Sequence, residues 1–289
     1  MNLSCLPVSL YAGVGAGKPD LDRWLRLASS LGLDGADLSV AQLHSRSPQT
    51  LDAVRRQSED CGIPIVMLAT YTDFTHPSPS ERRRQQDDLR EWIDAAARQN
   101  ARFLRVTAGQ AHPGVEEDAG LGWAAEGLTS GLDHAANAGI RLLYENHVRG
   151  IVWTSNDFTQ PAARFLEVVR RTAGSGLELL FDTANLSALG DDTLAVLDLV
   201  CDRVGAIHMS DIRRRGTFEP TVIGAGVAPI REVLRRMVER RFDGWVSVEE
   251  ASRTGEGAFA GAVTFADRVW VEAGGEPRER PAPSPLESN

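Results

Sequence analysis

Between Gly176 and Thr183 the chain reads Leu177-Glu-Leu-Leu-Phe-Asp182, a nearly unbroken apolar run closed on its C-terminal side by a carboxylate. A run this short and this apolar suits a parallel strand buried on both faces. The same design recurs outward in both directions. Leu3–Leu10, Gly35–Val40, Ile63–Ala69, Phe103–Val106, Ile140–Tyr144, Val204–Ile207 and Trp245–Val248 join Leu177–Phe181 as eight candidate strands. Amphipathic stretches fill the gaps. Leu21, Trp24, Leu25, Ala28 and Leu31 recur at helical spacing ahead of a terminating Gly32. Ser80–Arg98, Leu121–Ala138, Asp157–Thr172, Thr193–Val200, Ala228–Arg240 and Ala258–Val271 read as further helices.

Strand and helix alternating eight times within one domain predict an α/β fold, a single (β/α)8 TIM barrel over residues 1–273. An open doubly wound sheet is the alternative. Its usual sign, a glycine-rich turn after the first strand, has only an imitation in Gly13-Val-Gly-Ala-Gly17-Lys18-Pro19. That segment lacks the dinucleotide spacing, and Pro19 stands where a phosphate loop needs Ser or Thr, so it reads as a flexible βα loop. Residues 274–289 carry four prolines and little apolar content and read as a disordered tail.

The 289 residues include 31 basic and 40 acidic side chains, a net charge of −9, with 42% hydrophobic residues. That balance supports a full core and disfavours a protein built to grip a nucleic-acid backbone. Cys5, Cys61 and Cys201 are too few and too scattered for a disulfide framework or a thiolate zinc site. The apolar start has no basic residue before Lys18, unlike a secretion signal, and no run is long enough to span a bilayer. A cytoplasmic protein without a membrane partner is expected; a homo-oligomer stays open.

The polar residues that end the strands carry the chemistry. The fifth run stops at Glu145, the sixth at Asp182, the seventh at His208 and the eighth at Glu249, at separations of 37, 26 and 41 positions. In a barrel this is the face where catalytic groups collect. Three carboxylates crowded together repel, so either some carry protons or a cation lies among them. Three oxygen donors with one imidazole suit a divalent ion, Mn²⁺ first, with Mg²⁺, Co²⁺ or Zn²⁺ as alternatives. Each residue alone could equally be a helix cap or a surface group. Glu250 competes with Glu249, because strand alternation turns only one of them inward.

At Leu143-Tyr-Glu145-Asn-His147, Phe181-Asp182-Thr-Ala-Asn185, Ile207-His208-Met-Ser-Asp211 and Asp243-Gly-Trp-Val-Ser-Val-Glu249, the chain resembles the sugar phosphate isomerase/epimerase family, the xylose isomerase-like TIM barrels. Leu104-Arg105-Val-Thr-Ala-Gly109 and Ile223-Gly-Ala-Gly226 extend the likeness over residues 1–272. The resemblance implies that Glu145, Asp182, His208 and Glu249 bind one divalent ion and that Glu145 and Glu249 act as acid and base. Its Gly-to-Glu spacing, counted from Gly244, selects Glu249 over Glu250. One departure is Asn185, where many members have histidine; Asn can hydrogen-bond a substrate hydroxyl but is no acid at neutral pH.

Such a site would abstract a proton beside a carbonyl and stabilise the resulting enediolate, giving an isomerase or epimerase of a sugar, keto-sugar or polyol. Loss of a leaving group instead would make it a lyase or dehydratase acting on a keto-inositol, keto-sugar or cyclic keto-acid. A non-catalytic sugar-binding barrel is a remote alternative. An abasic-site endonuclease, which needs many histidine ligands, is disfavoured by six histidines and the net negative charge. His147, Asn185, Arg105, Arg214 and Asp211 are the candidate substrate contacts. Asp211 could instead orient His208 through its free ring nitrogen, and Asp37 could contact substrate or cap. Arg213, Arg214 and Arg215 could clamp an anion or form a solvated loop. Trp153 and Phe74 are candidate pocket walls, and His76 follows the third strand closely enough to reach the mouth.

Overall fold

The computed structural model describes residues 1–13 and 21–279. Within it the alternation read from the sequence becomes β1 (Asn2–Leu6), α1 (Leu21–Ser30), β2 (Ala36–Ser39), α2 (Pro48–Asp60), β3 (Ile65–Ala69), α3 (Pro79–Arg98) and β4 (Phe103–Val106). The series continues with α4 (Glu117–Thr129), α5 (Leu132–Asn137), β5 (Arg141–Glu145), α6 (Ala162–Arg171), β6 (Glu178–Asp182), α7 (Asn185–Ala188), α8 (Thr193–Val200), β7 (Val204–Met209), α9 (Ile230–Glu239), β8 (Trp245–Glu249) and α10 (Glu256–Glu272). The strands form one parallel sheet in the order β1-β8-β7-β6-β5-β4-β3-β2. This is a TIM barrel.

Strand alternation sorts side chains into two sets. Leu104, Leu142, Tyr144, Phe181, Ile207, Val246 and Val248 join the main core with the helices, while Phe103, Leu143, Leu180 and Ala206 pack with Met67 in a separate cluster within the barrel. Two residues further along each inward row stand Arg105, Glu145, Asp182 and His208. The period of two therefore places an apolar layer beneath a polar one and aims the latter at the C-terminal mouth.

The seam between β1 and β2 is closed by bonds outside the strand ladder. Asp34 donates its backbone N–H to the Leu3 carbonyl (2.8 Å), and its carboxylate accepts the Leu3 N–H (2.8 Å). Deeper in, the hydroxyls of Ser4 and Ser247 donate to Asp37 Oδ2 at 2.8 and 2.5 Å. Asp37 is thus a buried brace between three strands, and its expected roles as a substrate contact or a cap give way to this one.

Several boundaries differ from expectation. Pro7 ends the first strand at Leu6, since it has no N–H for the ladder. The helix expected over Leu121–Ala138 splits into α4 and α5, because Thr129 and Ser130 turn their hydroxyls back onto carbonyls of the preceding turn. The long βα segment containing α2 shows a Ser47 cap and Pro48 at the helix start. The glycine-rich segment 14–19 lies outside the described residues.

Residues 274–279 of the expected tail are held on the barrel floor. The Arg278 guanidinium reaches Asp267 (3.0 Å), Asp34 (3.2 Å) and the Gly32 carbonyl (2.6 Å), and Trp270 Nε1 donates to the Glu276 carbonyl. Packed chain therefore extends past residue 273; residues 280–289 lie outside the described set. No helix among the described residues is long and apolar enough to cross a membrane. Arg278→Ala should cost about 2–4 kcal/mol, because two carboxylates and a carbonyl lose a buried partner. A thermal melt should show the midpoint falling by several degrees; an unchanged midpoint would remove Arg278 from the seam's support.

Candidate active site

Glu145, Asp182, His208 and Glu249 each bring one ligand atom into a group in which all such atoms lie within 4.8 Å of one another. His208 Nδ1 sits 2.8 Å from Glu145 Oε1 and 3.0 Å from Glu249 Oε2. The first three residues are buried, whereas the Glu249 side chain is 25% exposed and faces the mouth. Glu250 turns away, is fully buried, and accepts the Ser252 N–H (2.9 Å), so the competition between the two neighbours goes to Glu249.

Each member is held by neighbours. Asp182 Oδ1 accepts the N–H groups of Ala184 (2.8 Å) and Asn185 (2.7 Å), and its Oδ2 accepts the Ser210 hydroxyl (2.7 Å). Asn146 bridges β5 to β6 through both backbone groups of Asp182. Arg105, 3% exposed, places Nε 3.3 Å from Glu145 Oε2 and lies 4.7 Å over the Tyr71 ring. Asn146, Ser210 and Tyr71 were not singled out in the sequence. Asn146 and Ser210 stand within the quoted motifs beside the quartet, which is the one signal that points to them.

The electrostatics follow from this crowding. Burial pushes the Glu145 carboxyl up, but Arg105 and then His208 outweigh it and hold the group down at about 2. Burial, with Glu249 and Glu145 adding repulsion, raises Asp182 to about 8. Burial pushes the His208 imidazole down, yet Glu145 and Glu249 overcome it and keep the proton on to about 10.

The outer residues divide into those near the centre and those engaged elsewhere. His147 follows Glu145 by two positions, is mostly buried, and sets Nδ1 3.5 Å from Asp157 Oδ2. Trp153 meets its ring edge-on at 5.4 Å. The Trp153 segment is itself anchored: Asp73 accepts from both the backbone and side-chain N–H of Gln110, whose Oε1 accepts the N–H groups of Thr154 and Ser155. Gly109 at φ +136° permits this approach, since a Cβ there would lie 2.3 Å from Thr75 Oγ1. Asn185 opens α7 beside Asp182 and is 9% exposed.

Asp211 is not bonded to His208. Its carboxylate accepts four backbone N–H groups, from Ile212, Gly224, Gly226 and Ala228, and so builds the loop after β7. Gly226 is required beside it, because a Cβ would sit 2.2 Å from the Ile212 carbonyl. Arg214 pairs with Glu219 (3.0 Å) and is 67% exposed, and Arg215 binds the carbonyls of Gly190 and Asp191. Asp211 and Arg214 are therefore placed in loop structure instead of at the centre. Phe74 lies under α4, in contact with the Cβ position of Gly127, and is no pocket wall. His76 meets the His112 ring edge-on (4.7 Å) and accepts the Ser78 N–H.

The fold and site define a class: eight-stranded β/α barrels whose mouth gathers three carboxylates and an imidazole. The chain belongs to the xylose isomerase-like TIM barrel family, whose model matches residues 25–269. It is 24% identical over 247 residues to fructoselysine 3-epimerase of Shigella flexneri, covering 79% of this chain and 84% of that protein. It is 26% identical over 144 residues to inosose dehydratase of Lacticaseibacillus casei, covering 43% and 46%. Among solved structures, D-psicose 3-epimerase in the presence of D-fructose superposes with a TM-score of 0.74 at 16% identity, over 93% of this chain and 99% of that one.

Without an ion, the protons on Asp182 and His208 stabilise the folded chain. Both groups keep their protons to higher pH when folded than their ordinary values of 3.8 and 6.5. The stability they confer is complete below those values and is lost progressively as pH rises from 3.8 to about 8 for Asp182 and from 6.5 to about 10 for His208. Chelator-treated protein should therefore melt at progressively lower temperature as pH rises from neutrality. Asp182→Asn should lack the part of that decline that falls below about pH 8; a variant following the wild-type curve throughout would contradict this assignment.

Proposed function

We propose that this protein is a cytoplasmic, divalent-metal-dependent isomerase or epimerase of a sugar, keto-sugar or polyol, acting by proton abstraction through an enediolate. The observation that carries the reading is the quartet Glu145, Asp182, His208 and Glu249, four donors of the right chemistry converging within 4.8 Å. The donor set fits a hard dication. It holds three carboxylates, one nitrogen and no thiolate, and the buried His208 Nε2 has no hydrogen-bond partner. Mn²⁺ suits it best, with Mg²⁺, Co²⁺ and Zn²⁺ as substitutes. The names of the epimerase relatives support a carbohydrate-like substrate.

A dication held by these four side chains supplies Lewis acidity to a carbonyl and its neighbouring hydroxyl. The chain's own residues do the proton work. Glu249, the partly exposed member, takes the proton from the carbon beside the carbonyl. Glu145, which Arg105 keeps anionic at rest, faces the centre from β5 and delivers a proton from the other side after taking one up from a substrate hydroxyl. Asn185 and His147 offer hydrogen bonds to substrate hydroxyls, and Trp153 shields the pocket beside His147. Return of the proton to the opposite face epimerises; return to the adjacent carbon isomerises.

Dehydration is the second reading. It is favoured by Asn185, which replaces a potential acid, and by the unequal exposure of the two glutamates, which leaves one face better served than the other. The similarity to an inosose dehydratase supports it. Incubation with keto-sugars and keto-cyclitols in D₂O separates the two: an epimerase returns saturated, deuterated product, a dehydratase an unsaturated one.

Glu145→Gln and Glu249→Gln should each lower turnover by about 10²–10⁴-fold, since each removes a base and a ligand charge. Chelation should abolish activity and Mn²⁺ restore it. Wild-type turnover in either variant, or indifference to chelator, would falsify the mechanism.

A further inference from the structure

Arg105 is a cation sealed inside the barrel. Its register partners are Ala69 on β3 and Leu143 on β5, and Leu143 lies two residues before Glu145 on the same inward row. Burying a guanidinium is expensive unless a carboxylate faces it, and here that carboxylate is a member of the quartet. The contact divides the two oxygens of Glu145. Oε2 faces Arg105 Nε at 3.3 Å, while Oε1 sits 2.8 Å from His208 Nδ1, inside the group of converging donors. Tyr71 fixes the guanidinium from its face at 4.7 Å, so the plane of the fork is set from outside the site.

Resting on the metal reading above, we infer that Arg105 is a positioning residue for Glu145. Its charge faces Oε2 as an ion pair, holds the carboxylate in the orientation that leaves Oε1 beside His208, and supplies the positive charge that, with a dication, neutralises the three carboxylates. Two effects of opposite sign follow from removing it. A lost repulsion between cations tightens metal binding; a lost grip on a ligand weakens it, typically 10–100-fold for groups that orient metal ligands. The inference holds that the second effect wins.

Mn²⁺ titration of the chelator-stripped full-length protein, followed by the electron paramagnetic resonance of free Mn²⁺, tests this. Arg105→Met should raise the Kd for Mn²⁺ by about 10–100-fold. Arg105→Lys, which keeps the charge but not the planar fork, should also bind more weakly than wild type, though less so than Arg105→Met. In a Glu145→Gln background, Arg105→Met should change the Kd by less than about twofold, because the residue it acts through has lost its charge. Unchanged or tighter Mn²⁺ binding by Arg105→Met overturns the inference, as does its full effect persisting beside Glu145→Gln. Should Arg105→Met fail to fold, wild-type affinity in Arg105→Lys overturns it equally. Wild-type protein that takes up no divalent ion overturns the metal reading itself, an outcome distinct from all of these.

Discussion

Three carboxylates gathered within 4.8 Å of one buried imidazole, two of them in hydrogen-bond reach of it, are the constraint around which this barrel is arranged. Like charges at this spacing cannot all remain ionised and unpaired in a low-dielectric interior. Every neighbour of the quartet answers that repulsion. Arg105 faces Glu145, Ser210 and two backbone N–H groups face Asp182, and His208 holds its proton between Glu145 and Glu249. Asn146 ties the strands that carry two of the carboxylates. The surrounding barrel keeps these groups at fixed separations, and the apolar layer of Phe103, Leu143, Leu180 and Ala206 below prevents them from relaxing downward.

How much of this was legible in the sequence follows from which forces are local. Strand alternation is local, so the inward rows ending at Glu145, Asp182, His208 and Glu249 were readable from the runs that precede them. The same regularity distinguishes Glu249 from Glu250 once the direction of β8 is known. Helix ends were less legible because side-chain hydroxyls compete with the backbone, as at Thr129 and Ser130. Asp157 was read as the start of a helix; it instead pairs with His147 and accepts the backbone and hydroxyl of Thr159.

Loop residues defeated local reasoning for a different cause. Asp211 and Arg214 lie in the expected neighbourhood, yet partners up to 17 residues away in sequence determine where their side chains go. The Asp211 carboxylate fills an arc of N–H groups from Gly224 to Ala228, in the loop after β7. Barrels often use loops in this region to bind phosphate, and here an internal carboxylate satisfies the donors. Arg215 is likewise spent on the carbonyls of Gly190 and Asp191. Residue type marked these positions as polar and adjacent to the mouth; only the folded loop shows that they organise it.

The two glutamates share a type and a barrel face but not an environment. Glu145 is sealed between a guanidinium and an imidazole, whereas Glu249 meets the solvent side of the pocket. A carboxylate clamped by Arg105 is a dependable ligand and a reluctant proton acceptor; one open to the mouth can exchange its proton between cycles. Symmetric two-base chemistry would call for similar surroundings on both sides. On the mechanism proposed above, this difference would leave Glu249 as the more mobile partner in proton transfer, and the choice between epimerisation and elimination would depend on what the substrate presents to the less accessible side.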